Sequence, residues 1–221
     1  MSVILYYHPI SQPARALYIF MKKCNIPFDL KFVNLRKNEQ QSPEFEKLNP
    51  FKKVPIIDHN GFILSESVAI LRYLSRKFNC DDHWYPKDID NQARVDQYLE
   101  WQHSNTRHYC TSFFLHKYLL PLKTQNPANE KEVAKAYDQM MICLDQIENI
   151  WLKDKPFLTG KTISVADILG ACEIEQPRLG GYDPRTGRPN LTAWLNRVIE
   201  ETSPYYQEAH TDLNQIASQN N

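Results

Sequence analysis

Two hydrophobic rhythms share the first 80 residues of this chain, and only one of them continues beyond residue 92. "VILYYH" (Val3 to His8) and "FDLKFVNL" (Phe28 to Leu35) are compact β-like runs. "KVPIIDHNGFILS" reads as a hairpin turning at Asn60-Gly61, a pair suited to the two-residue turn that joins antiparallel strands. Helical stretches lie between these runs. Pro13 fits a first helical turn, because its fixed φ is already helical and its missing N–H would have no partner there. Leu17, Phe20, Met21 and Cys24 then fall at helical spacing. "SPEFEKLN" is a short helix, and Ser67, Leu71, Leu74 and Phe78 line one face of another. A short crossover helix makes the first two strands parallel, while the tight turn makes the last two antiparallel. The order βαβαββα therefore predicts an α/β unit of thioredoxin-like layout with a mixed four-stranded sheet.

Polar, turn-rich "NCDDHWYPKDIDNQ" (Asn79 to Gln92) closes that unit, and every later signal is helical. Val133, Tyr137, Met140, Leu144, Ile147 and Trp151 recur at steps of four and three, which predicts one buried stripe. "DNQARVDQYLEWQHSNTRHYCTSFFLHKYLL" is a long helix expected to bend near its middle, and "PNLTAWLNRVIEE" is another. Two domains are expected, residues 1–80 and an all-helical 88–221, with the "ASQNN" tail frayed.

Composition narrows the partners. With 26 Lys and Arg against 26 Asp and Glu, and no basic block, nothing draws the chain to phosphate backbones or anionic membranes. Nucleic acid and membrane are excluded as expected partners. Five scattered cysteines without a CxxC pair argue against a disulfide framework and a zinc ribbon. "MSVILYYH" lacks the basic start of a signal peptide, and no apolar run approaches the roughly 20 residues that span a bilayer. A soluble, cytoplasmic protein with reduced thiols is expected. The seven histidines show neither HxxxH nor HExxH spacing, so no metal is expected.

In a thioredoxin-like unit, redox cysteines would sit at the mouth of the first helix, where this chain reads Ser11-Gln12-Pro13-Ala14. Disulfide exchange there is excluded. What remains is a hydroxyl beside a helix N-terminus, whose free N–H groups and positive dipole end favour an anion. Ser11 read alone is a cap, a nucleophile or a hydrogen-bond donor, and no GxSxG elbow supports the nucleophile. Val54-Pro55 opens a strand; in the cis form, Val54 could pair backbone to backbone with an extended peptide. In "LSESVAILRYL", Ser65 as cap with Glu66 complementing the dipole is ordinary helix grammar. Alternatively, the helix amides and Ser67 hold a carboxylate while Glu66 meets an ammonium, a pair that one α-amino acid end would satisfy. Ser164 with Asp167 three residues on is a capping-box arrangement, read as folding machinery.

Ser11 before Gln-Pro, the "KKVP" turn, "ESVAILRYL", "YLEWQH", "FLTGKTISVADI" and "GRPNLTAWLNRV", in this order over nearly the whole chain, resemble a glutathione transferase of the theta class. The resemblance implies that Ser11 donates its hydroxyl hydrogen to the sulfur of glutathione, where several other classes use tyrosine. It implies that Val54 pairs with the cysteinyl backbone ahead of a cis Pro55, and that Glu66 and Ser67 hold the γ-glutamyl end. Lys53 would help at the glycine end, and Gln12 would lie beside the sulfur. Arg107 would border the pocket for the electrophile, against the plain reading of an exposed helix arginine. Glutathione is then a co-substrate, no cofactor is called for, small hydrophobic electrophiles are the other partner, and a homodimer is implied. Peroxidase or dehalogenase side activity stays open, as does the choice among halide, peroxide, sulfate ester and epoxide. Two departures stand out. Gln40 occupies the place where theta relatives commonly carry a histidine, and it can hydrogen-bond a carboxylate without charge. The sequence also stops at Asn221, short of the C-terminal helix that covers the site in mammalian theta enzymes, which predicts a more open pocket. The rival from another class is a non-catalytic carrier or assembly module built on the same fold.

Overall fold

The computed structural model of the chain describes residues 2–219. Four strands, β1 (Val3–Tyr7), β2 (Phe28–Phe32), β3 (Ile56–His59) and β4 (Phe62–Ser65), form one sheet in the order β2-β1-β3-β4. β1 runs parallel to β2, with Val3 opposite Phe28, and antiparallel to β3, with Tyr6 opposite Ile56. β3 and β4 form the expected hairpin, with Asn60 and Gly61 both at positive φ (57° and 86°) as its tight turn requires. The crossover from β1 to β2 is α1 (Gln12–Lys23). α2 (Pro43–Leu48), capped by the Ser42 hydroxyl, and α3 (Ser67–Lys77) complete the sheet-bearing part. β2 is shorter than its apolar run suggested. The chain leaves the ladder after Phe32, and a 3-10 turn follows at Leu35–Lys37, capped by Asn34.

Beyond the linker every regular element is helical: α4 (Ile89–Ser104), α5 (Thr106–Phe114), α6 (Leu120–Thr124), α7 (Glu130–Gln146), α8 (Val165–Ile174), α9 (Pro189–Thr202), α10 (Tyr205–Ala209) and α11 (Thr211–Ala217). The long helix is interrupted near its middle, as expected, at Asn105, whose backbone (φ −121°, ψ −92°) is not helical and whose side-chain amide donates to the Trp101 carbonyl at 2.8 Å. A π-type turn at Leu115–Leu119 displaces it again before α6. The expected stripe is buried at Val133, Met140 and Leu144 of α7 and at Ile147 just beyond it, but Trp151 is only half-buried and Tyr137 is 36% exposed. Ala136 takes the inward position, and Tyr137 stands at the margin with its ring against Phe113 and Tyr182. Of the expected frayed tail, Ala217 is buried within α11, while Asn220 and Asn221 lie outside the described residues.

One apolar core runs from Val3 and Leu5 of the sheet, through Leu17, Phe20 and Met21 of α1, to Ile168, Trp194 and Val198 of the helical part. α1 packs against α3 on one side and against α8 and α10 on the other, so it joins the two parts. Among the described residues no helix is long and apolar enough to cross a membrane, and all five cysteines are free.

Candidate functional site

Register explains why the sequence-marked residues gather. Tyr6 of β1 and Ser65 of β4 both pair with Ile56 of β3. The segments carrying Ser11, Val54 and Glu66 therefore leave the sheet at the same end, beside the N-termini of α1 and α3. A cleft of about 710 Å³ opens there, within the size range of small-ligand sites. Ser11, Gln12, Gln40, Lys53 and Val54 line it on the sheet side, and Phe114, Tyr118 and Leu119 line it from the helical part.

Ser11 is nearly buried at 9% exposure and holds the N-cap position of α1 with an extended backbone, yet its side chain makes no capping hydrogen bond. An N-cap serine ordinarily spends its oxygen on a first-turn N–H. Here the hydroxyl is left over, facing the cleft at the positive end of a helix dipole. Neither nearby tyrosine competes for that place. Tyr6 packs edge-on against Phe45, and Tyr7 packs against Tyr18, with burial pushing its hydroxyl up to about 12. Gln12 donates to the Thr111 hydroxyl of α5 at 2.9 Å, fastening the mouth of α1 to the helical part.

The Val54-Pro55 peptide is cis. Next to it, Asn49 donates to the Lys53 carbonyl at 2.8 Å and braces the turn from within. Gln40 brings its amide to the cleft, and its buried Oε1 has no hydrogen-bond partner among the described residues.

At α3 the structure departs from ordinary helix grammar. Ser65 is the last residue of β4 and caps nothing. The N-cap is Glu66 at φ +70°, a left-handed conformation that costs a non-glycine residue on the order of 1–3 kcal/mol. Ser67 is buried, and its hydroxyl accepts from Arg107 Nη2 at 3.2 Å. Arg107 also pairs with the fully buried Glu173, Nε to Oε1 at 2.9 Å. Glu66, Ser67 and Arg107 thus form a second group that does not line the cleft. Arg107, expected at the electrophile pocket or as an exposed helix arginine, is a quarter exposed, and its guanidinium bridges Ser67 and Glu173. Because Arg107 supplies the hydrogen of that contact, the Ser67 hydroxyl keeps its own hydrogen to give.

Three contributors escaped the sequence reading. His8 lines the cleft, accepts from the Ile10 amide through Nδ1 at 3.1 Å, and is held neutral by burial and by the nearby Arg36, both of which lower its pKa. Arg15, fully buried in α1, donates to the carbonyls of Pro9 (2.9 Å) and Cys172 (3.0 Å) and to the side chain of Gln176 (2.9 Å). The apolar wall at Phe114, Tyr118, Leu119 and Leu122 is the third; its helical spacing was present in the sequence but pointed to no ligand.

Residues 1–76 match the family model for the glutathione S-transferase N-terminal domain, and residues 110–201 match that for the C-terminal domain. Bovine glutathione S-transferase theta-1 is 44% identical over 211 residues, covering 95% of this chain and 88% of the relative. The chain belongs to the theta class of the glutathione S-transferases. Human glutathione S-transferase T1-1 in its apo form superposes with a TM-score of 0.94 at 39% identity, over 98% of this chain and 91% of that one. A human theta-class glutathione transferase in complex with the glutathione conjugate of 1-menaphthyl sulfate also gives 0.94, at 38% identity, over 99% and 90%. Among solved theta-class structures, then, the fold of this member is matched almost end to end.

Proposed function

We propose that this theta-class chain conjugates glutathione to small apolar electrophiles, with the Ser11 hydroxyl holding the sulfur of bound glutathione as a thiolate. The observation that carries this reading is the uncommitted hydroxyl of Ser11, at a helix cap where serine normally bonds the backbone. The attacking nucleophile belongs to the substrate, and Ser11 stays a donor throughout.

The other residues divide along the peptide. Val54, beside the cis proline, offers its backbone to the cysteinyl unit, as in strand addition. Lys53 and Gln40 take the glycine carboxylate, and the unpartnered Gln40 Oε1 supports a ligand group there. Glu66 meets the γ-glutamyl ammonium, and Ser67, set by Arg107, donates to its carboxylate. Gln12 flanks the sulfur. Residues 1–80 act as the glutathione domain and 88–221 supply the electrophile wall. The working unit is a homodimer, supported by the exposed rings of Phe51 (67%) and Phe62 (49%). The setting is cytoplasmic, supported by free thiols, and the role is detoxification.

Magnitudes show where the rate comes from. A thiol with a pKa of about 8.5 is roughly 7% thiolate near pH 7.4, and lowering it by about two units takes roughly 2.7 kcal/mol. One charge-assisted hydrogen bond contributes about 1.5–3 kcal/mol and a helix terminus about 0.3–1 kcal/mol, so serine plus dipole is sufficient. The thiolate fraction rises about twelvefold, yet at a Brønsted slope near 0.45 the less basic sulfur loses roughly eightfold in nucleophilicity. These effects nearly cancel. Most of the acceleration therefore comes from placing the electrophile against the sulfur.

Turnover of a benzylic chloride with glutathione tests this. The expected result is saturable conjugation whose pH profile, in Ser11→Ala, moves about two units toward alkali while the high-pH rate stays within severalfold of the native protein. Glutathione binding without turnover of any electrophile would instead establish a carrier.

A further inference from the structure

The chain as a whole is neutral, yet its cleft is not. Arg36, Lys52, Lys53 and Lys123 line it, and among the described residues no aspartate or glutamate does. Two of these cations are accounted for. Lys52 pairs with Glu46 at 3.1 Å, and Lys53 serves the glycine carboxylate in the reading above. Arg36 and Lys123 form no ion pair among the described residues. The acid felt at this end of the cleft is Asp212 of α11, whose charge reaches His8 but which does not line the cavity.

Their positions are telling. Arg36 stands exposed in the 3-10 turn after β2, beside Leu35, and belongs to the sheet-bearing part. Lys123 stands exposed in α6, four residues beyond Leu119 and next to Leu122, and belongs to the helical part. The wall that the helical part gives to the same cleft is apolar. Phe114 and Tyr118 stack at 5.8 Å, and Ile10, Leu119 and Ile216 pack against the small core formed by Phe114, Leu179 and Leu213. An apolar floor with one unpaired cation from each part fits an amphipathic anion better than a neutral hydrocarbon. Cations gathered without acids also raise the local concentration of anionic ligands.

We infer that the electrophile preferred by this enzyme carries a carboxylate, with its apolar body on the Phe114–Tyr118 surface and its carboxylate held at the mouth by Arg36 and Lys123. This rests on the glutathione transferase reading and names the substrate class of that same site. In the step itself, the thiolate sulfur forms the bond to carbon, the bond from carbon to the leaving group breaks, and the leaving group departs with the electron pair. The carboxylate takes no part in the chemistry and serves for capture and orientation.

The test compares 4-(chloromethyl)benzoate with its methyl ester at low ionic strength, dividing each kcat/KM by that compound's own uncatalysed rate with glutathione. The expected result is a preference for the acid of about tenfold, the effect of two exposed charge pairs, collapsing toward one in Arg36→Gln/Lys123→Gln and at about 0.5 M salt. Conjugation of both compounds without preference overturns the inference and leaves the transferase reading standing; conjugation of neither overturns both. A raised KM for glutathione in the double variant, with the acid preference intact, assigns the two cations to glutathione and also overturns the inference.

Discussion

The hydroxyl of Ser11 makes no capping bond, and Arg15, one turn further along α1, fixes the loop before it. Completely buried, Arg15 holds the carbonyls of Pro9 and Cys172 and the side chain of Gln176, and Gln176 in turn donates to the Ile10 carbonyl at 3.1 Å. The 8–11 segment is thus clamped to α8 with no demand on Ser11 itself. Arg15→Met leaves these acceptors unpaired and should cost about 2–4 kcal/mol in the urea unfolding free energy, with the KM for glutathione raised. Arg15→Lys should rescue little, because a single ammonium lacks the planar fork that reaches both carbonyls. A loss under about 0.5 kcal/mol in either variant would contradict the clamp. Single residues were unevenly legible. Ser11 and Gln12 stood out because a helix mouth without cysteines narrows the options. Glu66 did not show its left-handed backbone, since Ser65 one position earlier offered a conventional cap. The pairing of Arg107 with Glu173 spans 66 residues, a distance at which sequence spacing carries no signal.

Among the elements, α8 shows most plainly how a local rule serves the whole. Ser164 and Asp167 form the expected capping box at its N-terminus. Buried Asp167 also accepts from the Leu158 amide at 2.8 Å and from the Trp194 indole at 2.9 Å, so one carboxylate ties the preceding loop, α8 and α9 together. Asp167→Ala strips the acceptor from several buried donors and should lower the unfolding free energy by about 3–5 kcal/mol, read from the urea midpoint; a loss below about 1 kcal/mol would leave the box as a local cap only. The box could be read from four consecutive residues, but its reach to Leu158 and Trp194 could not. The same limit applies along the helix that forms the cleft wall. Its apolar spacing and a bend near its middle were visible, whereas the π-type turn at Leu115–Leu119, which packs against α7 and the 176–180 turn beside Phe114, was not.

At the scale of the molecule, the sheet end brings Ser11, Lys53 and Val54 to the cleft and the helical part supplies an apolar wall, and α1 passes between them with Ser11 at its mouth. The change of hydrophobic period made the division of elements legible, because strand and helix patterns differ in kind. The placing of one part on the other was not, since the joining contacts, Gln12 with Thr111 and Arg15 with Cys172 and Gln176, link positions about a hundred residues or more apart. In the proposed function this arrangement leaves one donor for one sulfur. The most direct measurement is the ultraviolet absorbance of the glutathione thiolate bound to the native protein and to Ser11→Ala, titrated from pH 5 to 10. The expected result is a bound thiol pKa about two units below that of free glutathione, returning most of the way in the variant. Bound glutathione with an unshifted pKa, or an equal shift in both proteins, would contradict it.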